Sequence, residues 1–169
     1  QLDTQLSDAL TLTSGLRFEK RSADYIDSDA VAHDVDESLW GGRIALNYQL
    51  SDQTMVYGLI SRGYKAGGVN SDPTLSAKDR EFDTEIMWNL ETGAKGLWLD
   101  GQLQAQVAAF YQKRDDIQIK QSLVQSREDS EASDFTDYFG NSANGSNYGL
   151  EVELNWFASD ALAVFASLG

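Results

Sequence analysis

The residues able to do chemistry in this chain are mostly carboxylates, and they are crowded. Asp24, Asp27, Asp29, Asp34, Asp36 and Glu37 share one stretch with no Lys or Arg among them, and Glu128, Asp129, Glu131, Asp134 and Asp137 share another. Such clusters form either solvated loop tips or calcium sites. Their spacing does not match the 12-residue EF-hand loop, so no metal ligand is assigned. His33 is the sole histidine and there is no cysteine. Thiol catalysis, thiolate zinc and disulfides are therefore excluded, and a Ser–His hydrolase would have to use a histidine set among acids. No Gly-rich phosphate loop occurs. The formal net charge of -14 leaves no basic face to neutralise phosphates, so no nucleic-acid partner is expected. No catalytic residue and no cofactor follow from these residue types.

The elements that carry these groups are strands. A short phrase recurs at their joints: Gln5-Leu6-Ser7-Asp8, Gln49-Leu50-Ser51-Asp52, and the variants Leu99-Asp100-Gly101 and Ala158-Ser159-Asp160. Ser, Asp and Gly suit tight turns because they tolerate the dihedrals and bond their own backbone. Between the turns, residues alternate. Across Glu85 to Trp98, Ile86, Trp88, Leu90, Thr92, Ala94, Gly96 and Trp98 fall on one face, and Glu85, Asn89, Glu91 and Lys95 on the other. The same pattern runs through Leu10–Phe18, Trp40–Gln49, Thr54–Lys65, Gln102–Gln112, Tyr148–Trp156 and Ala161–Leu168. That makes seven strands, plus the tail of an earlier one over Gln1 to Gln5. Long loops are expected at roughly 21–38, 66–84 and 121–146, on the side opposite the short turns.

Two architectures alternate in this way: a soluble β-sandwich and an outer-membrane barrel. Aromatics at strand ends, the short-turn and long-loop asymmetry, and a polar face rich in Gln, Asn and Glu favour the barrel. Ten residues separate Trp88 from Trp98, about 33 Å of strand, or about 23 Å after a ~45° tilt, close to the ~25 Å apolar band of such barrels. No apolar run approaches the ~18 residues of a membrane helix. The expected fold is all-β: an antiparallel up-and-down sheet forming part of a large transmembrane barrel, not closed by these strands alone.

Thr54 to Asn70 reads TMVYGLISRGYKAGGVN, and Glu85 onward reads EIMWNLETGAKGLWLDGQLQAQVAAFYQKRDDIQ. With Tyr148-Gly149-Leu150-Glu151-Val152-Glu153, these resemble, in order, three linked stretches of TonB-dependent outer-membrane receptors. Val69 and Leu90 depart from the aromatic residues usual there. The resemblance implies that 1–169 is part of the C-terminal half of the barrel domain, with the plug domain and the segment that engages TonB outside it. It implies uptake of a scarce ligand, most often a ferric siderophore, otherwise haem, vitamin B12 or a glycan, across the outer membrane of a Gram-negative bacterium. The partners it implies are outer-membrane lipid and lipopolysaccharide, the protein's own plug, TonB, and an iron chelate. An anionic chelate favours cations and aromatics where strands meet outer loops. This singles out Arg62, Tyr64 and Lys65, with Tyr138 and Phe139 able to stack on a ligand. The competing role for Tyr64 is a girdle aromatic, for Arg62 and Lys65 reaching toward lipid phosphate, and for Tyr138 and Phe139 packing their own loop. A passive porin shares every strand feature, and a soluble all-β binding module shares the alternation.

Overall fold

The computed structural model describes residues 1–27, 29–126 and 133–169. In chain order the elements are β1 (Leu2–Gln5), β2 (Leu10–Ile26), β3 (Ala32–Ser51), β4 (Thr54–Lys65), β5 (Gly68–Val69), α1 (Ala77–Arg80), β6 (Glu81–Phe82), β7 (Glu85–Trp98), β8 (Leu103–Asp115), β9 (Gln118–Ser126), β10 (Ser133–Asn141), β11 (Gly145–Ser159) and β12 (Leu162–Leu168). Eight of them form one sheet in the order β1-β2-β3-β4-β7-β8-β11-β12. Every neighbouring pair is antiparallel. This is an up-and-down meander whose two end strands each have one neighbour, and it does not close. The seven expected strands and the earlier tail, now β1, account for all eight.

The recurring turn phrase works through its serine. The Ser7 hydroxyl accepts a hydrogen bond from the Ala9 amide, Ser51 from Gln53 and Ser159 from Ala161, at 3.3–3.4 Å. The fourth turn uses left-handed backbone instead, with φ of 55° at Leu99 and Asp100 and 90° at Gly101. Glycine and aspartate accept that conformation readily; Leu99 does not.

Register fixes the faces. Gly42, Arg62, Trp88 and Lys113 stand opposite one another across four strands, and the next row inward is Ile44, Ile60, Leu90, Tyr111 and Tyr148. Most exposed apolar side chains follow this parity: Leu90 is 58% exposed and Ile44 55%, and Phe18, Leu46, Tyr148 and Leu150 belong to the same face, while Leu97, Phe157 and Phe165 near the short turns are exposed on the other. The opposite face holds the buried residues Thr13, Ala45, Asn89 and Ala108, as the inside of a curved sheet does. All four tryptophans lie on the apolar convex face. Trp40 and Trp88 meet edge to face at 6.2 Å near the outer end, while Trp98 and Trp156 both align with Leu103 at the short-turn end.

A single sheet with a bare apolar face decides between the two architectures. The accessible surface is 11555 Å², against about 8,300 Å² for a compact soluble protein of this mass. A sandwich would cover that face with a second layer; here the covering medium is lipid.

The expectation of three long loops needs correction. Most of 21–38 is strand, because β2 and β3 continue as a hairpin beyond the sheet, paired as far as Ile26 and Ala32. Within 121–146, β9 and β10 form a second hairpin, and 66–84 carries the β5–β6 pair and the one-turn helix α1. Hairpins whose two faces both meet polar groups have no apolar alternation to reveal them. Glu128, Asp129 and Glu131 of the second acidic cluster lie outside the described residues.

Candidate functional site in the outer segments

The β2–β3 hairpin turns Arg21, Tyr25, His33 and Glu37 inward, in the pairs Arg21–Glu37 and Tyr25–His33. The 66–84 segment folds against them. Glu37 accepts hydrogen bonds from the Gly67 amide at 3.0 Å and the Thr84 hydroxyl at 2.6 Å. Arg21 donates to the Gly67 carbonyl at 2.6 Å, to Glu37 at 3.1 Å and to the Tyr25 hydroxyl at 2.7 Å. A Cβ on Gly67 would stand 2.4 Å from the Phe82 carbonyl oxygen, so only glycine permits this approach. Burial works to raise the Glu37 carboxyl, but its bonds from Thr84, Gly67 and Arg21 outweigh that and hold it below the usual carboxylate value.

A second knot ties the hairpin tip. Arg80, 6% exposed, donates from Nη2 to Asp27 at 2.6 Å and lies 3.0 Å from His33 Nε2. His33 Nδ1 stands 3.5 Å from Glu81. The Val31 and Asp29 amides also donate to Asp27. The Val31 bond first, then the Arg80 bond, hold its carboxyl below the ordinary value.

The β9–β10 hairpin joins the same assembly. Asn70 donates from its side-chain amide to the carbonyls of Phe139 and Asp79 and accepts from the Phe139 amide, all at 2.8–2.9 Å. The Gln118 side chain donates to the carbonyls of Lys65, Ala66 and Asp83, and its backbone amide donates to Glu85, which Arg114 also pairs. Three outer segments are thus one hydrogen-bonded unit.

The five expected ligand residues divide. Lys65 and Phe139 come together, with the ammonium 5.7 Å from the ring, which also packs on Phe82 at 5.9 Å. The Tyr138 hydroxyl donates to Gln121 within its own hairpin. Arg62 points to the convex side. It stacks 4.1 Å from the Trp40 ring and donates to the Trp40 carbonyl. Tyr64 turns the other way: the β3–β4 pairing ends at Arg62, its ring lies over Gly41, and its hydroxyl donates to Glu19 at 2.9 Å.

Beneath this unit, where β2, β3 and β4 meet, lies a recess of about 480 Å³. Gly15, Gly41 and Gly63 line it, Arg17, Arg43, Arg62 and Tyr64 border it, and Arg17 pairs with Glu19 at 2.5 Å. The Arg17 guanidinium stands 6.0 Å from the Tyr64 ring. Arg17 and Arg43 alternate onto the polar face in the sequence, but nothing in the sequence shows that three glycines from three strands meet between them. Farther inward, Tyr57 donates to Glu91 at 2.7 Å, and Lys95 lies 5.4 Å from the Tyr57 ring. Glu91 and Lys95 thus share a cross-strand partner. Among the described residues, no group of three acids or histidines is arranged to hold a metal.

The family model described as "TonB dependent receptor-like, beta-barrel" matches residues 1–169. The pesticin receptor of Yersinia pestis is 29% identical over 164 residues, covering 92% of this chain and 22% of that protein. Its Yersinia enterocolitica counterpart gives the same figures. The chain therefore spans about a fifth of the length of the curated relatives it matches. Among solved structures, the ferric yersiniabactin uptake receptor of Yersinia pestis superimposes with a TM-score of 0.69 at 23% identity, over 92% of this chain and 23% of that one. The ferric-catecholate import receptor of Escherichia coli K12 does so with 0.66 at 14% identity, over 98% and 26%. With its lipid-facing convex surface, its polar concave surface and a family match along its whole length, the chain belongs to the TonB-dependent receptor β-barrel family of the Gram-negative outer membrane.

Proposed function

We propose that this sheet is part of the barrel domain of a receptor that imports an anionic ferric chelate, powered through TonB and gated by a plug seated against the concave face. The observation that carries the reading is the recess below the outer segments, bordered by Arg17, Arg43 and Tyr64, with Glu19 holding both Arg17 and Tyr64 at its edge. Charge-assisted hydrogen bonds from guanidinium suit chelate oxygens, and the aromatic ring offers a stacking face. Lys65 and Phe139 above form an entry contact of the same chemistry. Arg62 borders the recess while its guanidinium lies against Trp40, and Tyr138 bonds within its own hairpin. The relatives named for ferric yersiniabactin and ferric catecholate agree with an iron-chelate cargo. A copper transporter shares the fold at a TM-score of 0.64, so the choice of cargo rests on the recess and not on the barrel. The receptor moves its ligand without transforming it, and no residue is assigned a catalytic role.

The test is uptake of radioactive iron, supplied as candidate chelates, by iron-starved cells making the full-length receptor. Arg17→Ala with Arg43→Ala should weaken apparent affinity at least tenfold, since each charged hydrogen bond lost is worth about 1.5–3 kcal/mol. Unchanged affinity with normal assembly would remove the recess from the ligand path. Uptake that persists without TonB would make the protein a passive pore.

A further inference from the structure

The convex face carries a cation where a lipid-facing surface has little use for one. Arg62 stands in the row just inward of Phe18 and Trp40, opposite Gly42 and Trp88. Its guanidinium is held against the Trp40 ring at 4.1 Å and bonded to the Trp40 carbonyl. Trp40 in turn meets Trp88 at 6.2 Å. Of its five N–H groups, the structure assigns a partner to one atom, Nη1. Among the described residues no carboxylate pairs with it. Lys113 occupies the same row on the far side of Trp88 and keeps an exposed ion pair with Asp115 at 3.0 Å. Two strand spacings, about 9.6 Å, separate Arg62 from Lys113.

Directly inward of this row lies an apolar groove of about 570 Å³. Its floor is Gly58, Thr92 and Ala109, which face one another across three strands. Its walls include Ile60, Leu90 and Tyr111. Nothing stands within 4 Å of where a Gly58 Cβ would sit. Gly58 lies four residues along β4 from Arg62, about 13 Å. A fixed cation at the interface above a groove facing the hydrocarbon matches a charged head joined to an acyl chain.

We propose that Arg62, with Lys113 as a second contact, binds the phosphate of one outer-leaflet lipid whose acyl chain lies in the Gly58–Thr92–Ala109 groove. The Trp40 stack holds the guanidinium ready, and the groove makes the ligand a lipid rather than a free anion. Arg62 also borders the ligand recess, but its guanidinium lies against Trp40 on the convex side, and the site does not depend on which chelate is carried.

The experiment is native mass spectrometry of the full-length, delipidated receptor in detergent, titrated with phosphatidic acid and with phosphatidylcholine of identical chains. Heat-modifiable gel mobility confirms that each variant assembles. The wild type should bind one phosphatidic acid at least about tenfold more tightly than phosphatidylcholine, a gap that one charge-assisted contact can supply. Arg62→Ala should abolish that preference. Arg62→Lys keeps the charge but loses the planar stack, and should retain part of it. Gly58→Leu fills the groove and should weaken long-chain phosphatidic acid while leaving the dihexanoyl form unaffected. Full preference in Arg62→Ala, unchanged long-chain binding in Gly58→Leu, or displacement of the lipid by millimolar inorganic phosphate would each overturn the proposal.

Discussion

Arginine placed at graded depths on the convex face offers the sharpest check on the membrane geometry. Val107 is the first perturbation. It lies opposite Ala94 on β7, six residues inward from Trp88 and four outward from Trp98. At ~3.3 Å per residue and a ~45° tilt, it sits about 14 Å below one aromatic row and about 9 Å above the other, near the midplane. Arginine there costs about 2–4 kcal/mol, roughly a 30- to 900-fold loss in the folding equilibrium. Leu90 is only two residues from Trp88, about 5 Å below the interface, where the cost falls to about 1 kcal/mol. Gln106, adjacent to Val107, faces the wet side opposite Lys95 and Glu153, so arginine there should change stability by less than about 0.5 kcal/mol. The assay is urea-dependent folding of the full-length receptor into vesicles, followed by heat-modifiable mobility. The required order of damage is Val107→Arg, then Leu90→Arg, then Gln106→Arg. Equal losses at Val107 and Gln106 would refute the face assignment, and equal losses at Val107 and Leu90 would refute the depths.

Three further outcomes are expected. Gly93→Val should lower stability by about 1–3 kcal/mol in the same urea titration, because its Cβ would stand 2.5 Å from the Val107 carbonyl oxygen and 2.7 Å from the Tyr57 hydroxyl, whereas Gly58→Ala should cost little. Leu99→Gly should gain about 0.5–1 kcal/mol by relieving the 55° φ, net of glycine's greater unfolded-state entropy. The hairpin tip should loosen in acid: Asp27 is depressed in the folded state, so its stabilisation is full above the unfolded value near 3.9 and is lost as pH falls through the lower folded one. Amide exchange over 29–31, corrected for the intrinsic rate, should rise on going from pH 5 to pH 2, and a flat profile would count against the Asp27 anchor.

How far the sequence could be read depended on what each face touches. Where one face meets lipid, as along Glu85 to Trp98, alternation is plain, and strands, turns and faces all follow from it. Where both faces meet polar partners, as in the outer hairpins, Arg21, Glu37, Asp24 and Asp34 look like loop residues although they are paired strand residues. The ligand candidates are divided by a different effect. Arg62 and Tyr64 are two apart and share a parity, yet they part to opposite faces because the β3–β4 pairing stops at Arg62. The burial of Arg80 had no local signal, since its partners Asp27 and His33 are 53 and 47 residues away in sequence.

The bonds from Gly67 to Glu37, from Arg80 to Asp27 and from Asn70 to Phe139 carry a lesson for engineering. An outer segment of this barrel is not an interchangeable part. Grafting a foreign sequence over 66–84 alone would strand Arg21 and Glu37 on one hairpin and the Phe139 backbone on the other. To transplant specificity between such receptors, 21–37, 66–84 and 118–141 would have to travel as a set. Insertions confined to the short-turn side, around Asp52 or Asp160, would meet no such constraint.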